Sequence, residues 1–372
     1  MMQQTFRLFI CTASAWLLVT SSPIVGATSW PMIGENPQHT STSQVEVPTE
    51  PDDQWQAKVA RRFYAAPVIV DDQIYMAARG KRIKALSASD GSLVWEAALG
   101  GTISATPAVF KDALIVGSKD GVITALDRAT GKLKWKQKTG GKILSSPVVY
   151  EGTAYVGSND LHVYALDVAS GKLLWRYYAK DYKYGGLYAS PAVDGTAVYI
   201  GDKNGVLHSI NRETGKPRWK ISLGSSIYGS AVLNGGRLYV GSYDRHLYAL
   251  QASDGKVLWK AELDDWPQGS PLLYKDVLYI ATRTGILYGI DAASGNKVWQ
   301  LDAEEGLRHS PVVGSNGIAV IGTTEGRLLG LDLNSRELIW ERFVEGGIYN
   351  AAAISHHGII VGTLDGVVVL MK

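Results

Sequence analysis

Trp55, Trp95, Trp135, Trp175, Trp219, Trp259, Trp299 and Trp340 recur at steps of 40, 40, 40, 44, 40, 40 and 41 residues. A period this regular requires one supersecondary unit used repeatedly, each copy burying its apolar face against the next. The third unit displays the pattern. Ser146-Pro147-Val148-Val149-Tyr150 reads as a strand that ends at the turn pair Glu151-Gly152. Thr153 to Gly157, His162 to Leu166 and Leu173-Leu174-Trp175 follow as three further strands, separated by turns at Asn159-Asp160 and Ser170-Gly171. Short β-rich runs between Gly, Asn and Asp turns are hairpin signals, and no amphipathic helical stretch interrupts them.

Four antiparallel strands in about 40 residues describe one blade of a β-propeller. Seven units run complete to their tryptophan. The eighth begins near Ala351 and reaches Lys372 inside its third strand. Asp53-Gln54-Trp55-Gln56 reads as a fourth strand without the preceding three. The sequence therefore predicts an all-β, eight-bladed propeller of four-stranded antiparallel blades, closed by the N-terminal strand completing the last blade. Closure of this kind removes sheet edges that would otherwise invite aggregation.

The motif joining third and fourth strands repeats almost letter for letter. It runs Ala125-Leu126-Asp127, Thr130-Gly131-Lys132, Trp135, then Ala165-Leu166-Asp167, Ser170-Gly171-Lys172, Trp175, and again Gly289-Ile290-Asp291, Ser294-Gly295, Trp299. This resembles the PQQ-like propeller repeat over residues 55 to 372. The resemblance implies that each indole spans the gap to the neighbouring blade and docks near the small residue and turn glycine of the motif. It also implies that the aspartate hydrogen-bonds turn amides. Ser87, Asn211 and Gln251 take its place in units one, four and five, which suits a structural polar role. Arg336 stands where the seventh unit should have glycine, so that turn is expected to differ.

Ahead of the repeats, Arg7, the apolar stretch Leu8 to Val19 and the small-residue pattern Val25-Gly26-Ala27 predict a secretory signal over 1–27, cleaved after Ala27. The apolar stretch is short for a bilayer-spanning helix. Cys11 lies inside that leader, so the secreted form would carry neither disulfide nor thiol, and Thr28 would not accept a lipid. The expectation is a periplasmic or extracellular protein with no membrane anchor after cleavage. Residues 28–54, with Pro31, Pro37, Pro48 and Pro51, read as a polar strap lying across one propeller face with Trp30 packed, ahead of the propeller at 55–372. Without Arg7 the chain has 36 basic and 35 acidic residues, which supplies no electrostatic reason for a nucleic-acid partner.

No nucleophile elbow, phosphate loop or metal motif occurs. His356 and His357, on an extended segment, would point apart. His162 and His246 occupy equivalent places separated by Val206 in the unit between, so no metal site is expected. Candidate binding residues come from the starts of the innermost strands. Aligning the units gives a ring of Tyr64, Ser104, Leu144, Tyr188, Tyr228, Gln268, Arg308 and Tyr349 at the channel mouth. A second ring, mostly of small residues, contains His309 and Asn350. These side chains either grip a sugar, a peptide or a small aromatic ligand, or plug the channel. The longer fourth step gathers Tyr177, Tyr178, Tyr182, Tyr184 and Tyr188, and Trp266 lies in the equivalent loop two units later. These loops are expected on the mouth face as partner contacts, or packed beneath the strap.

Three functions are compatible with these residues. A non-catalytic scaffold binding a protein in the cell envelope would be similar to BamB-type outer-membrane assembly factors. A quinoprotein oxidoreductase or sensor would bind PQQ and calcium. Many members of that class add a vicinal disulfide and calcium-binding residues in inserted loops, whereas Cys11 is the single cysteine here and no insertion exceeds four residues. A carbohydrate-binding propeller would use the tyrosine-lined mouth. The sequence favours the scaffold, with no cofactor.

Overall fold

A computed structural model describes residues 29–78, 80–180 and 185–372. The proposed leader, together with Tyr182 and Tyr184, lies outside the described residues. Among the described residues the chain forms eight four-stranded antiparallel sheets arranged as the blades of a propeller. Blade one comprises Val68–Val70, Gln73–Ala78, Arg82–Ser87 and Leu93–Ala98, from the channel outwards. Blade eight comprises Ala353–Ser355, Gly358–Gly362 and Val367–Met371, completed on its outer side by Asp53–Lys58. Trp55 there pairs with Leu370. First and last strands are thus zipped together, closing the ring.

Burial follows radius. The inner three strands of a blade are covered on both faces by neighbouring blades, so they read as unbroken apolar runs such as Ala113-Leu114-Ile115-Val116-Gly117. The outer strands alternate between exposed and half-buried residues. Lysine fills alternate positions of Leu133-Lys134-Trp135-Lys136-Gln137-Lys138, which discourages the free outer edge from pairing with another sheet.

In six of the blades the half-buried tryptophan of the outer strand reaches the next blade. Its indole N–H donates to a main-chain carbonyl there: Trp55 to Ala88 at 2.9 Å, Trp95 to Arg128 at 2.9 Å, Trp135 to Val168 at 2.8 Å and Trp175 to Arg212 at 2.8 Å. Trp219 and Trp259 repeat the bond to Ala252 and Ala292. The indole lies against the turn glycine of the receiving blade. Gly131 has φ +69°, and a Cβ there would lie 2.6 Å from the Trp95 ring. Glycine is required twice over, by the left-handed backbone and by the indole. The motif carboxylate holds the same turn, Asp127 Oδ1 accepting from Thr130 N at 2.9 Å and Asp167 Oδ1 from Ser170 N at 2.8 Å.

The seventh unit corrects the expectation of a different turn. Arg336 keeps the left-handed geometry at φ 65°, and its N–H bonds Asp332 O at 2.7 Å as the glycine does elsewhere. The indole beside it is what changes. Trp299 lies at 69° to Tyr279, whereas the four counterpart pairs lie at 36–44°. A side chain at the turn leaves no room for the usual ring position.

Trp340 faces blade eight, which has no turn between third and fourth strands of its own. Its indole N–H bonds Pro48 O at 3.2 Å, and Arg342 Nε bonds Pro51 O at 2.9 Å. The strap thus stands in for the missing turn. Before that it crosses the end of the channel. Trp30 exchanges main-chain bonds with Ile69, Pro31 O accepts from Val109 N, Pro37 O from Val193 N, Gln38 O from Leu233 N and Ser41 O from Val313 N. Blades one, two, four, five and seven are tied by a single segment, and Trp30 at its start is fully buried.

A non-glycine residue held at positive φ costs about 1–2 kcal/mol. Arg336→Gly should therefore raise unfolding free energy by about 1 kcal/mol, and Gly131→Ala should lower it by at least ~2 kcal/mol. Guanidinium denaturation of the two variants checks both signs, and two small changes of the same sign would remove the docking argument.

Candidate functional site

The innermost strand of each blade has no strand partner on its channel side, so the first main-chain N–H groups need another acceptor. The residue before the blade's proline, or before Ala231 in blade five, supplies it. Ala66 N donates to Thr106 Oγ1 and Thr106 N to Ser146 Oγ, both at 3.0 Å. Ser146 N, Ser190 N and Ser230 N continue the series to Ser190, Ser230 and Ser270. Pro67, Pro107, Pro147, Pro191, Pro271 and Pro311 follow in sequence and have no N–H to satisfy. A belt of hydroxyls therefore runs round the channel and links blades one to six. Ser310 breaks the rule by donating to Ser270 O.

This belt helps to line a cavity of about 190 Å³ whose floor is the strap residues Ile33, Gly34, His39 and Ser41. Tyr64, Ser104, Leu144, Tyr188 and Tyr228 line its upper wall, so the structure brings these first-ring residues together. Side chains alternate along a strand. Ala65, Ala105 and Ala189 accordingly turn away and are buried. Asn350 does the same, contrary to the placement at the mouth: it is 2% exposed, and its Nδ2 bonds Gly362 O within its own blade. His309 does line the cavity. The alternation fails at blades six and seven, where a register shift in Pro267–Tyr274 and a left-handed Gly269 at φ 75° displace the strand start.

Both cavity histidines are held neutral. Burial drives the His39 imidazole down to about 4, and its Nε2–H donates to Pro191 O at 2.7 Å. His309 falls to about 4 through burial and the neighbouring Arg308. Glu35 in the strap moves the other way, to about 7, because burial outweighs its bond from Asn36.

On the mouth face the aromatic residues form a continuous track. Tyr188 meets Tyr228 edge-on at 5.4 Å, Tyr228 lies 4.6 Å from Tyr243, and Tyr243 stacks on Trp266 at 5.2 Å and 10°. Cations cap both ends, Lys203 over Tyr188 at 5.8 Å and Arg283 over Trp266 at 4.4 Å. Gln268 Nε2 donates to the Tyr243 hydroxyl at 3.3 Å, and Arg308 lies over Tyr349 at 5.8 Å. Trp266 is 38% exposed and Tyr64 41%. Tyr243 was not among the sequence candidates. It sits in the loop between second and third strands, and aligning those loops as well would have shown it beside Lys119, Asn159, Lys203 and Arg283. Two of the proposed loop residues lie elsewhere. Tyr177 and Tyr178 belong to the outer strand Leu173–Tyr178, where Tyr177 bonds His208 and Tyr178 stacks on His162 at 4.9 Å. The strap covers the opposite face, so none of the described residues of this cluster packs beneath it.

The face is also electrically lopsided. Arg61, Arg62, Lys119, Lys142 and Lys203 occupy its loops around blades one to four, and Asp264, Asp265, Glu304, Glu305 and Glu345 those around blades six to eight.

A family described as outer membrane protein assembly factor BamB matches residues 52–102, 79–230 and 203–364. No curated protein matches the chain. Among solved structures, BamB from Moraxella catarrhalis superposes with a TM-score of 0.75 at 19% identity, over 87% of this chain and 100% of that one. A europium-containing methanol dehydrogenase gives 0.80 at 14% identity, covering 91% and 90%. The quinohemoprotein alcohol dehydrogenase from Comamonas testosteroni gives 0.81 at 15% identity, covering 92% and 80%.

The cavity floor should be acid-sensitive. Between pH 6.5 and about 4 the unfolded chain protonates His39 and the folded chain does not, so stability present above 6.5 is lost as pH falls through this window. Glu35 opposes this, since its raised carboxyl binds a proton more readily in the fold between 4.5 and about 7. Thermal melts of wild type and His39→Gln isolate the histidine: the wild-type advantage should shrink steadily from pH 6.5 to 4. Parallel curves would contradict it.

Proposed function

The chain belongs to this PQQ-like propeller family, and from that premise we propose that it is a non-catalytic scaffold of the cell envelope that binds a protein partner through its mouth face. The observation that carries the reading is the aromatic track ending in exposed Trp266 under Arg283. Tryptophan, tyrosine and arginine dominate interface hot spots, because large rigid side chains desolvate well around a single anchored contact. The charge gradient across the same face would orient an incoming partner and raise its association rate. A secreted form without a cofactor, located in the periplasm, accords with the leader read from the sequence.

The quinoprotein alternative meets a chemical obstacle. A carboxylate-bearing quinone and its calcium ion need cationic donors and acidic or amide oxygens. None of the described residues lining the cavity is Lys, Arg, Asp, Glu or Asn, and the strap fills the channel below. The residues do not fit that group. Recognition of a glycan or small aromatic at the mouth is also less well supported. Tyr188 and Tyr228 spend their edges and faces on each other and on Tyr243, and the Tyr64 hydroxyl accepts from Arg62 at 3.4 Å.

A photo-crosslinking residue placed at Trp266 should capture one discrete protein in intact envelopes, and the same probe at exposed Leu133 should not. Tyr243→Ala or Arg283→Ala should weaken that capture about tenfold or more while leaving the melting curve unchanged. Equal labelling from both positions would remove the mouth face as the docking surface.

A further inference from the structure

On the strap face, the turns that end the innermost strands of blades eight and one come together. His356 and His357 form the two-residue turn between Ala353–Ser355 and Gly358–Gly362. The segment is not extended, so the two rings do not point apart as the sequence suggested: their centroids lie 3.9 Å apart. Asp72 belongs to the matching turn between Val68–Val70 and Gln73–Ala78. Its Oδ1 lies 2.9 Å from His357 Nε2, and one donor atom from each of the three residues falls within 4.8 Å of the others.

We propose that Asp72, His356 and His357 form a zinc-class divalent metal site that clips blade eight to blade one. Two imidazoles and one carboxylate are a donor set suited to zinc, which takes such ligands at about 2.0–2.2 Å. Donors bound to one ion at those lengths stand about 3–3.5 Å apart. The Asp72–His357 separation is already close to this, and a rotation of the exposed His356 ring brings in the third donor. A fourth position remains open to water. Both turns are anchored independently of any metal: Asp72 O accepts from Ala88 N at 2.9 Å, and His357 N donates to Ser355 Oγ at 3.2 Å.

The place of the site gives it a purpose. At two other seams on this face an arginine reaches back to the preceding blade, Arg128 to Asp71 at 2.6 Å and Arg212 to Glu151 at 2.8 Å. The equivalent positions in blade one, after Ser87, are Ala88 and Ser89, so the seam between blades eight and one has no such cation. It is also the seam beside the blade built from both ends of the chain. A metal there joins residues 285 apart in sequence and binds only the closed ring.

The test uses tag-free full-length chain stripped with chelator. Titration with ZnCl2 should give one saturable event per chain, and 100 μM Zn2+ should raise the melting temperature by roughly 2–4 °C, reversed by EDTA. CaCl2 should do neither, since two of the three donors are imidazoles. The double variant His356→Ala, His357→Ala and the single variant Asp72→Asn should each weaken binding at least tenfold, and His162→Ala should leave it unchanged. Absence of a saturable event in wild type, or an equal event in the double variant, would overturn the site.

Discussion

The wheel depends on one contact repeated at six of its seams: an indole laid over the turn glycine of the next blade, its N–H on that blade's carbonyl. A sheet of four short strands cannot bury both its faces alone, so a blade is stable only between neighbours. Tryptophan suits the seam because one side chain combines roughly 150–250 Å² of apolar surface with a single donor. The ring covers the gap, and the N–H answers a carbonyl that would otherwise be buried without a partner. Glycine on the receiving turn follows as a consequence, since a Cβ on Gly131 or Gly171 would lie 2.6 Å from the indole. The exception supports the causal order. Where Arg336 replaces glycine the turn survives and the Trp299 ring tilts, so the backbone geometry persists without its usual residue and the indole adjusts.

How much of this could be read from the chain depends on whether a feature is periodic. Tryptophan spacing revealed the blades, their number and the closing strand, because every copy repeats the same signal. Departures from the repeat were visible only as departures. Nothing about Trp340 announced that its partner would be Pro48, some 290 residues earlier, because that contact replaces a turn the chain does not have. The serines that precede the blade prolines were noticed only as landmarks, as Ser146 is before Pro147. Their role needs the ring closed, since each accepts from the blade before it. Asn350 looked like a mouth residue because it broke a row of small ones, yet strand alternation turns that row inwards, where its amide serves Gly362. His356 and His357 were read with the geometry of a strand when they are the turn between two.

The strap changes what the two faces can do. By pairing with the ends of inner strands in five blades it converts the channel from a pore into a cup. The cup's floor contains a histidine that burial holds neutral. Few of the groups that line it can bear charge, and its hydroxyls are already engaged in holding blades together. Such an interior is built for rigidity more than for chemistry. A rigid cup under a mobile surface chemistry is the usual division of labour in scaffolds, where loops vary and the frame does not.

That division also accounts for where the unusual residues lie. A substitution in an inner strand meets packed neighbours on both sides, and one in the indole–turn contact disturbs two blades at once. The loops of the mouth face escape both constraints, and there the repeat admits Tyr243, Trp266 and Arg283 as one connected group drawn from adjacent blades. No single unit could have built it. The period that makes the blades alike also sets neighbouring loops close enough for side chains of different units to stack. A binding surface can therefore arise at a propeller mouth by changing a few loop residues, while the seams that hold the ring stay the same.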